Sequence, residues 1–332
     1  MKLAVIGGGS WGTALAIVLA PRSESVTLRV HEADLAARMV SSRENDIFLP
    51  GFRLPANVLV VTDMAPALAG ADIVLGVMPS HHARSIYTAM LPHLTPSMIL
   101  VSATKGLEQG SLLRMSEVIE QVVRTKFQQT RVAVLSGPTF AREVAAGNPT
   151  AVVVASSSTE VARCVQEAFS GPTFRLYTNA DPIGVEVGAA LKNVIAIGAG
   201  ICEGLGLGHN PTAALITRGL AEITRLAIAM GGQAKTMAGL AGLGDLVLTC
   251  SGELSRNRQV GKELASGRPL GEILGSMRMV AEGVETCGSA VALGAKFGAD
   301  LPIIQQMHAV LGAGKSPKEA VRELMERTLK GE

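Results

Sequence analysis

Leu3-Ala4-Val5-Ile6-Gly7-Gly8-Gly9-Ser10-Trp11-Gly12 is the stretch that decides the fold. Its four apolar residues read as a short buried strand. Gly7, Gly9 and Gly12 then fit G-x-G-x-x-G, directly ahead of a helix-period segment over residues 13–19. The first glycine permits a tight turn, the second lets backbone approach a pyrophosphate, and the third lets the helix pack closely on the strand. The N–H groups at the helix start face the phosphates. The same residues contain Gly8-x-Ser10-x-Gly12, which also matches the nucleophile elbow of a hydrolase. That fold draws half its oxyanion hole from earlier strands, and only seven residues precede Gly8. The dinucleotide turn is the better reading.

Further short Val/Ile/Leu runs follow at 26–30, 58–61, 72–77, 98–101, 132–135, 151–155 and 175–177, with helix patterns such as 35–41 and 112–123 between them. Continuous apolar strands separated by helices predict a mostly parallel sheet covered on both faces. From about Asp181 the pattern changes to long Ala/Leu/Gly-rich helices at 184–201, 213–229, 283–297 and 318–329. Ser316-Pro317 reads as an N-cap with proline at the first helical position. The expected architecture is an α/β Rossmann-like, nucleotide-binding domain over 1–180 and an all-helical, substrate-binding domain over 181–332. Two domains also suit a chain of 332 residues, since single cores stop growing near 250–300.

Composition narrows the function classes. Thirty basic against 28 acidic residues, with no basic run, argue against a nucleic-acid or membrane-surface partner. The charge-free stretch 85–104 holds Pro92, His93 and Pro96, and the apolar segment after Ile183 is broken by Glu186, Lys192 and Asn193. Neither reads as a bilayer span. Four scattered cysteines without CxxC or metal-ligand spacing predict no disulfide, no metal and a reducing, cytoplasmic setting. Gly312-Ala313-Gly314-Lys315-Ser316 imitates the tail of a P-loop, but Ala309 stands where the first glycine is required.

Past the second strand the order is His31-Glu32. Glu32 suits a ribose 2′-hydroxyl, whereas His31 suits an adenine or a 2′-phosphate, so NADH and NADPH both stay open. Polar islands then interrupt apolar segments: Lys105 and Thr139 after candidate strands, Lys192-Asn193 inside a helix, Gly244-Asp245, and Ser255-Arg256-Asn257-Arg258. Lys192, amid Ala190, Leu191, Val194 and Ile195, is expected to lose solvent, which lowers a lysine pKa and suits acid/base work. Ser255–Arg258 has no hydrophobic periodicity and reads as a loop.

In order along the chain, these islands and further landmarks (Phe48-Leu49-Pro50-Gly51, Pro79-Ser80-His81, Ala103-Thr104-Lys105-Gly106, Ser136-Gly137-Pro138-Thr139, Leu191-Lys192-Asn193, Gly242-Leu243-Gly244-Asp245, Glu282-Gly283) resemble the bacterial-type NAD(P)-dependent glycerol-3-phosphate dehydrogenases. The resemblance implies that Lys192 is the proton donor and acceptor, with Asp245 beside it in catalysis. It implies substrate contacts at Lys105, Gly137, Thr139, Lys192, Asp245, Ser255, Arg256 and Asn257. Cofactor contacts would come from Ser10, Trp11, His31, Lys105, Ala141, Arg256, Val280 and Glu282, beside the glycines at 7, 9 and 12. Gly208-His209 and Met279-Val280-Ala281 depart from the family pattern. The implied reaction is reduction of dihydroxyacetone phosphate to sn-glycerol 3-phosphate by NAD(P)H, a step supplying glycerophospholipid synthesis. A homodimer is the assembly allowed for. A related hydroxyacid dehydrogenase and a nucleotide-sensing protein without chemistry are the alternatives, and the Ser255-Arg256-Asn257 block and Lys192 count against them.

Overall fold

The structure, a computed structural model, describes residues 1–277 and 279–329; Arg278 and the last three positions of the 181–332 segment lie outside the described residues. Ten strands occur among these: β1 (Lys2–Ile6), β2 (Ser25–Arg29), β3 (Glu44–Asn45), β4 (Leu49–Arg53), β5 (Val58–Val61), β6 (Ile73–Gly76), β7 (Ile99–Ser102), β8 (Val132–Ser136), β9 (Thr150–Ala155) and β10 (Phe174–Asn179). The helices among them are α1 (Ser10–Leu19), α2 (Ala33–Ser42), α3 (Met64–Leu68), α4 (Ala83–Met90), α5 (Met115–Val123), α6 (Ala141–Ala145) and α7 (Thr159–Phe169). Beyond β10 every regular element in the described residues is helical: α8 (Pro182–Gly204), α9 (His209–Ala229), α10 (Ala234–Met237), a π-turn Leu240–Gly244, and α11 (Asp245–Ser251). The series ends with α12 (Arg256–Ala265), α13 (Leu270–Ser276), α14 (Glu282–Phe297), α15 (Pro302–Gly312) and α16 (Pro317–Met325).

Eight strands form one sheet in the order β10-β9-β8-β7-β6-β1-β2-β5. Every pair is parallel except β8 with β9. Alternate residues of β1 serve opposite faces, as a strand's period of two requires. Leu3 and Val5 pack with Leu15 of α1, Leu35 of α2 and Val165 of α7. Ala4 and Ile6 pack with Leu68 of α3, Tyr87 of α4 and Ile119 of α5. This is the α/β domain with a mostly parallel sheet that the apolar runs predicted, followed by an all-helical part.

Helix α8 organises that second part. Its residues 184–202 are buried without interruption, the signature of a core helix rather than an amphipathic one. It is long and apolar enough to cross a membrane, yet its apolar window lies wholly inside the protein. Glycines bring α12 against it: a Cβ on Gly200 would sit 1.9 Å from the Arg258 carbonyl, and one on Gly261 would sit 2.0 Å from the Ile197 carbonyl. The two backbones therefore touch.

Three local expectations change. Residues 255–258 are not a loop, because Ser255 accepts from the Arg258 N–H as the N-cap of α12. The helix expected from 112 begins at Met115, since Leu112 takes a left-handed backbone and Leu107 bridges to Arg114. Pro317 does open α16, but the Ser316 hydroxyl makes no capping bond. The β3–β4 hairpin had no signal strong enough to expect: β3 spans two residues and Pro50 sits inside β4.

Candidate active site

The parallel strands end on one edge of the sheet. There β1 delivers Gly7, β6 leads to Pro79-Ser80, β7 leads to Lys105, and β8 leads to Gly137 and Thr139. Open α/β sheets place their ligands at this edge. Helices α8, α11, α12 and α14 bring the remaining polar residues to it.

At the centre is one fully buried carboxylate. Asp245, the first residue of α11, is 0% exposed. Its Oδ1 accepts from Lys192 Nζ in a short ion pair, and its Oδ2 accepts from Lys105 Nζ at 2.9 Å. Lys192, itself 4% exposed, donates a second bond to Thr249 Oγ1 at 2.8 Å. Thr249 gives its own proton to the Asp245 carbonyl at 2.6 Å, so its oxygen is fixed as an acceptor. Lys105 also donates to the Gly137 carbonyl at 3.2 Å and to Thr139 Oγ1 at 3.3 Å. Burial pulls the Lys192 pKa down, the Asp245 charge opposes that, and the Lys105 ammonium adds to the fall, leaving it at about 7. A lysine near neutrality gives and takes protons readily.

The glycine turn is shaped for a large anion. Gly7 takes φ +128°, and a Cβ there would strike the Val77 carbonyl at 2.0 Å. A Cβ on Gly12 would strike the Gly7 carbonyl at 1.9 Å, whereas one on Gly9 would meet nothing within 4 Å. The open space therefore lies in front of Gly9. No side chain caps the start of α1, where Ser10 and Trp11 stand, and the Trp11 indole N–H is buried without a partner among the described residues. A buried donor without an acceptor is costly, and a nucleotide supplies one. The turn thus fits a dinucleotide.

Around the phosphate-binding candidates the geometry divides them. Arg256 is exposed at the first turn of α12, and one of its amino groups donates to the Val280 carbonyl at 2.7 Å. Asn257 is buried, giving one hydrogen to Asn193 Oδ1 at 3.0 Å and accepting from the Gly283 N–H at 2.9 Å. It ties α8, α12 and α14 together, and among the described residues its second amide hydrogen has no acceptor. Glu282 accepts from the Ser80 N–H at 3.3 Å and hydroxyl at 2.9 Å, linking α14 to the loop after β6; burial raises its pKa. His31 and Glu32 are exposed beyond β2, and His31 Nδ1 lies 3.4 Å from Arg29. Ala141 opens α6, which packs on α1.

The structure thus joins Lys105, Gly137, Thr139, Lys192 and Asp245 in one network. Arg256 bonds Val280 and Ser80 bonds Glu282, and the opposite charges of Arg256 and Glu282 act on each other. Sequence reasoning missed Thr249, whose signal was its position four residues after Asp245 in a helix, on the same face. It also missed Asn193 as the partner of Asn257, although the Lys192-Asn193 island contained it.

Residues 2–162 match the family described as NAD-dependent glycerol-3-phosphate dehydrogenase N-terminus, and residues 181–322 match the corresponding C-terminus. A curated relative from Koribacter versatilis, named glycerol-3-phosphate dehydrogenase [NAD(P)+], is 60% identical over 98% of this chain and 97% of its own. One of the same name from Citrifermentans bemidjiense is 54% identical over 100% and 98%. The crystal structure of glycerol-3-phosphate dehydrogenase from Coxiella burnetii superposes with a TM-score of 0.94 at 40% identity, covering 98% of this chain and 99% of that one.

Proposed function

The chain belongs to the NAD-dependent glycerol-3-phosphate dehydrogenase family, and from that premise we propose that Lys192, held between Asp245 and Thr249, moves the proton of the reaction. The enzyme is an NAD(P)-dependent oxidoreductase that interconverts dihydroxyacetone phosphate and sn-glycerol 3-phosphate, the backbone precursor of glycerophospholipids. When bound, the reduced nicotinamide cofactor supplies a hydride to C2 of the ketone.

Gly7, Gly9, Gly12, Ser10 and Trp11 hold the cofactor pyrophosphate at the start of α1, with His31 toward the adenosine end. Lys105, Ala141, Arg256, Val280 and Glu282 line the rest of its path. The 1–180 segment thus serves the cofactor, and 181–332 with Lys105, Gly137 and Thr139 serves the substrate.

In the reductive direction the Lys192 ammonium hydrogen-bonds the ketone oxygen, polarises the carbonyl and gives it a proton. In the oxidative direction neutral Lys192 takes the proton of the C2 hydroxyl. Asp245 aims Lys192 and stabilises its charged form, and Thr249 fixes the amine from the other side. Lys105 keeps the site net cationic, which favours a dianionic substrate. Arg256 offers a guanidinium fork to the phosphate. The Ser255 hydroxyl, the second amide hydrogen of Asn257 and the N-terminus of α12 add donors around the same anion.

The observation that carries this reading is the buried Lys192 bridged by Asp245 and Thr249. Its test is reduction of dihydroxyacetone phosphate by NADH and by NADPH with wild type and Lys192→Ala. A cytoplasmic enzyme and a homodimer belong to the same proposal. Cell fractionation and sedimentation at twice the chain mass are their tests.

A further inference from the structure

The trans peptide between Gly8 and Gly9 has a partner that no part of the reaction scheme uses. Asn45, in the β3–β4 hairpin, is 0% exposed. Its amide donates to the Gly8 carbonyl at 2.8 Å and to Thr13 Oγ1 at 2.8 Å, which commits both of its hydrogens. Its oxygen accepts from the Phe48 N–H at 3.0 Å, so the Phe48-Leu49-Pro50-Gly51 landmark is held by the same side chain. Thr13 lies in the first turn of α1 and donates from its backbone to the Gly9 carbonyl at 3.0 Å.

A planar trans peptide points its C=O and its N–H in opposite directions, and no peptide among the described residues is cis. With the Gly8 carbonyl pinned toward Asn45, the Gly9 N–H is turned away from it. Among the described residues nothing accepts from that N–H. Gly9 also carries the open space of the turn. Two further features make this a built device. The tether comes from a hairpin outside the main sheet, and it reaches the one residue between the motif's first two glycines.

We propose that Asn45 is a positioning residue for the cofactor: it locks the Gly8–Gly9 peptide so that the Gly9 N–H is preset to donate to the pyrophosphate. This rests on the glycine turn holding the cofactor. Asn45 itself touches neither cofactor nor substrate.

The chain's single tryptophan, Trp11, sits in the turn and reports on it directly. Asn45→Asp keeps shape and acceptor but loses both donors. Thr13→Val removes one acceptor of Asn45 and the hydroxyl's own 3.5 Å bond to the Gly8 carbonyl, and leaves the Asn45–Gly8 bond. Dissociation constants for NADH are measured by quenching of Trp11 emission without substrate, with acrylamide quenching of the cofactor-free proteins alongside. Asn45→Asp is expected to bind NADH about tenfold more weakly, as loss of a preorganised hydrogen bond implies. Its kcat at saturating cofactor should stay within about twofold, with Trp11 more open to acrylamide. Thr13→Val should show a smaller effect in the same direction, which keeps the test alive if Asn45→Asp fails to fold. Gly9→Val is the control for the underlying reading: undiminished NADH affinity in that variant overturns the site and this inference together. Lost affinity in Gly9→Val with unchanged affinity in Asn45→Asp and Thr13→Val overturns this inference alone. So does a fall in melting temperature or kcat without any change in NADH affinity.

Discussion

Lys192 donates to Thr249 at 2.8 Å, and the threonine can only accept, because its hydroxyl proton is already given to the Asp245 carbonyl. The orientation of the amine is therefore fixed by a neutral group as well as by a charged one. A charged donor loses about 1.5–3 kcal/mol with a hydrogen bond of this kind. Thr249→Val keeps the shape and removes the acceptor, so kcat should fall about 10- to 100-fold with the fold intact. Thr249→Ser should recover most of the loss. Wild-type turnover in Thr249→Val would show that Asp245 alone orients the lysine.

Lys192→Ala should lower kcat by about 10²–10⁴-fold while NADH affinity stays near normal. The residue lies on α8, whereas the glycine turn is built from β1 and α1, so cofactor binding at that turn has no need of it. Truncation leaves Asp245 paired with Lys105, which guards the core against an orphaned charge. Steady-state assays beside a fluorescence titration separate the two effects.

The pH profile follows from the pull on Lys192. Reduction needs its protonated form, so with a pKa of about 7 the reductive kcat/KM should be level below that pH and fall above it. Oxidation needs the neutral form and should rise through the same range. Burial is the main cause of the lowering; Asp245 opposes it and Lys105 adds to it. Lys105→Met should therefore move the reductive limb to higher pH, and Asp245→Asn should move it to lower pH. Shifts in the opposite senses would mean the limb belongs to another group.

Helix packing gives a stability prediction. Gly200→Ala places a Cβ 1.9 Å from the Arg258 carbonyl, and backbone cannot yield as a flexible side chain can. Overpacking of this kind costs about 1–3 kcal/mol or more, read as a melting temperature several degrees lower. Because α12 carries Arg256 and Asn257, the KM for dihydroxyacetone phosphate should rise as well. Gly271→Ala, where a Cβ meets nothing within 4 Å, should leave both quantities unchanged.

The main-sheet strands were legible because most are short apolar runs, buried on both faces in the central β1, β6 and β7, and Lys192 was legible because a lysine amid Leu191, Val194 and Ile195 is conspicuous. Thr249 and Asn45 were not. A threonine in an apolar helix and an asparagine beside Asp46 are ordinary in sequence, and their importance comes from partners 57 and 37 positions away. Arg256 was found, but its setting was misread: a helix start whose periodicity begins only at Val260 looks like a loop.

That setting sharpens the last prediction, which concerns the phosphate. Arg256 stands at the exposed start of α12 with one amino group on the Val280 carbonyl and the Glu282 charge nearby; among the described residues the rest of its fork has no hydrogen-bond acceptor. Arg258, two residues on, is spent on Glu203 at 2.5 Å and on the Gly252 carbonyl at 3.3 Å. Packing does not account for an exposed arginine here, whereas a dianion at a helix start does. Arg256→Ala should raise the KM for dihydroxyacetone phosphate by about 10- to 100-fold, the worth of a charge-assisted hydrogen bond. Arg256→Lys should recover only part of that, since it keeps the charge and loses the bidentate geometry. Dihydroxyacetone, the ketone without the phosphate, supplies the control: it should be a poor substrate for wild type and nearly indifferent to the mutation. Equal losses on both ketones would make Arg256 a structural or cofactor residue. Lys105, the remaining cation joined to Thr139 and Gly137, would then be the residue to test as the clamp.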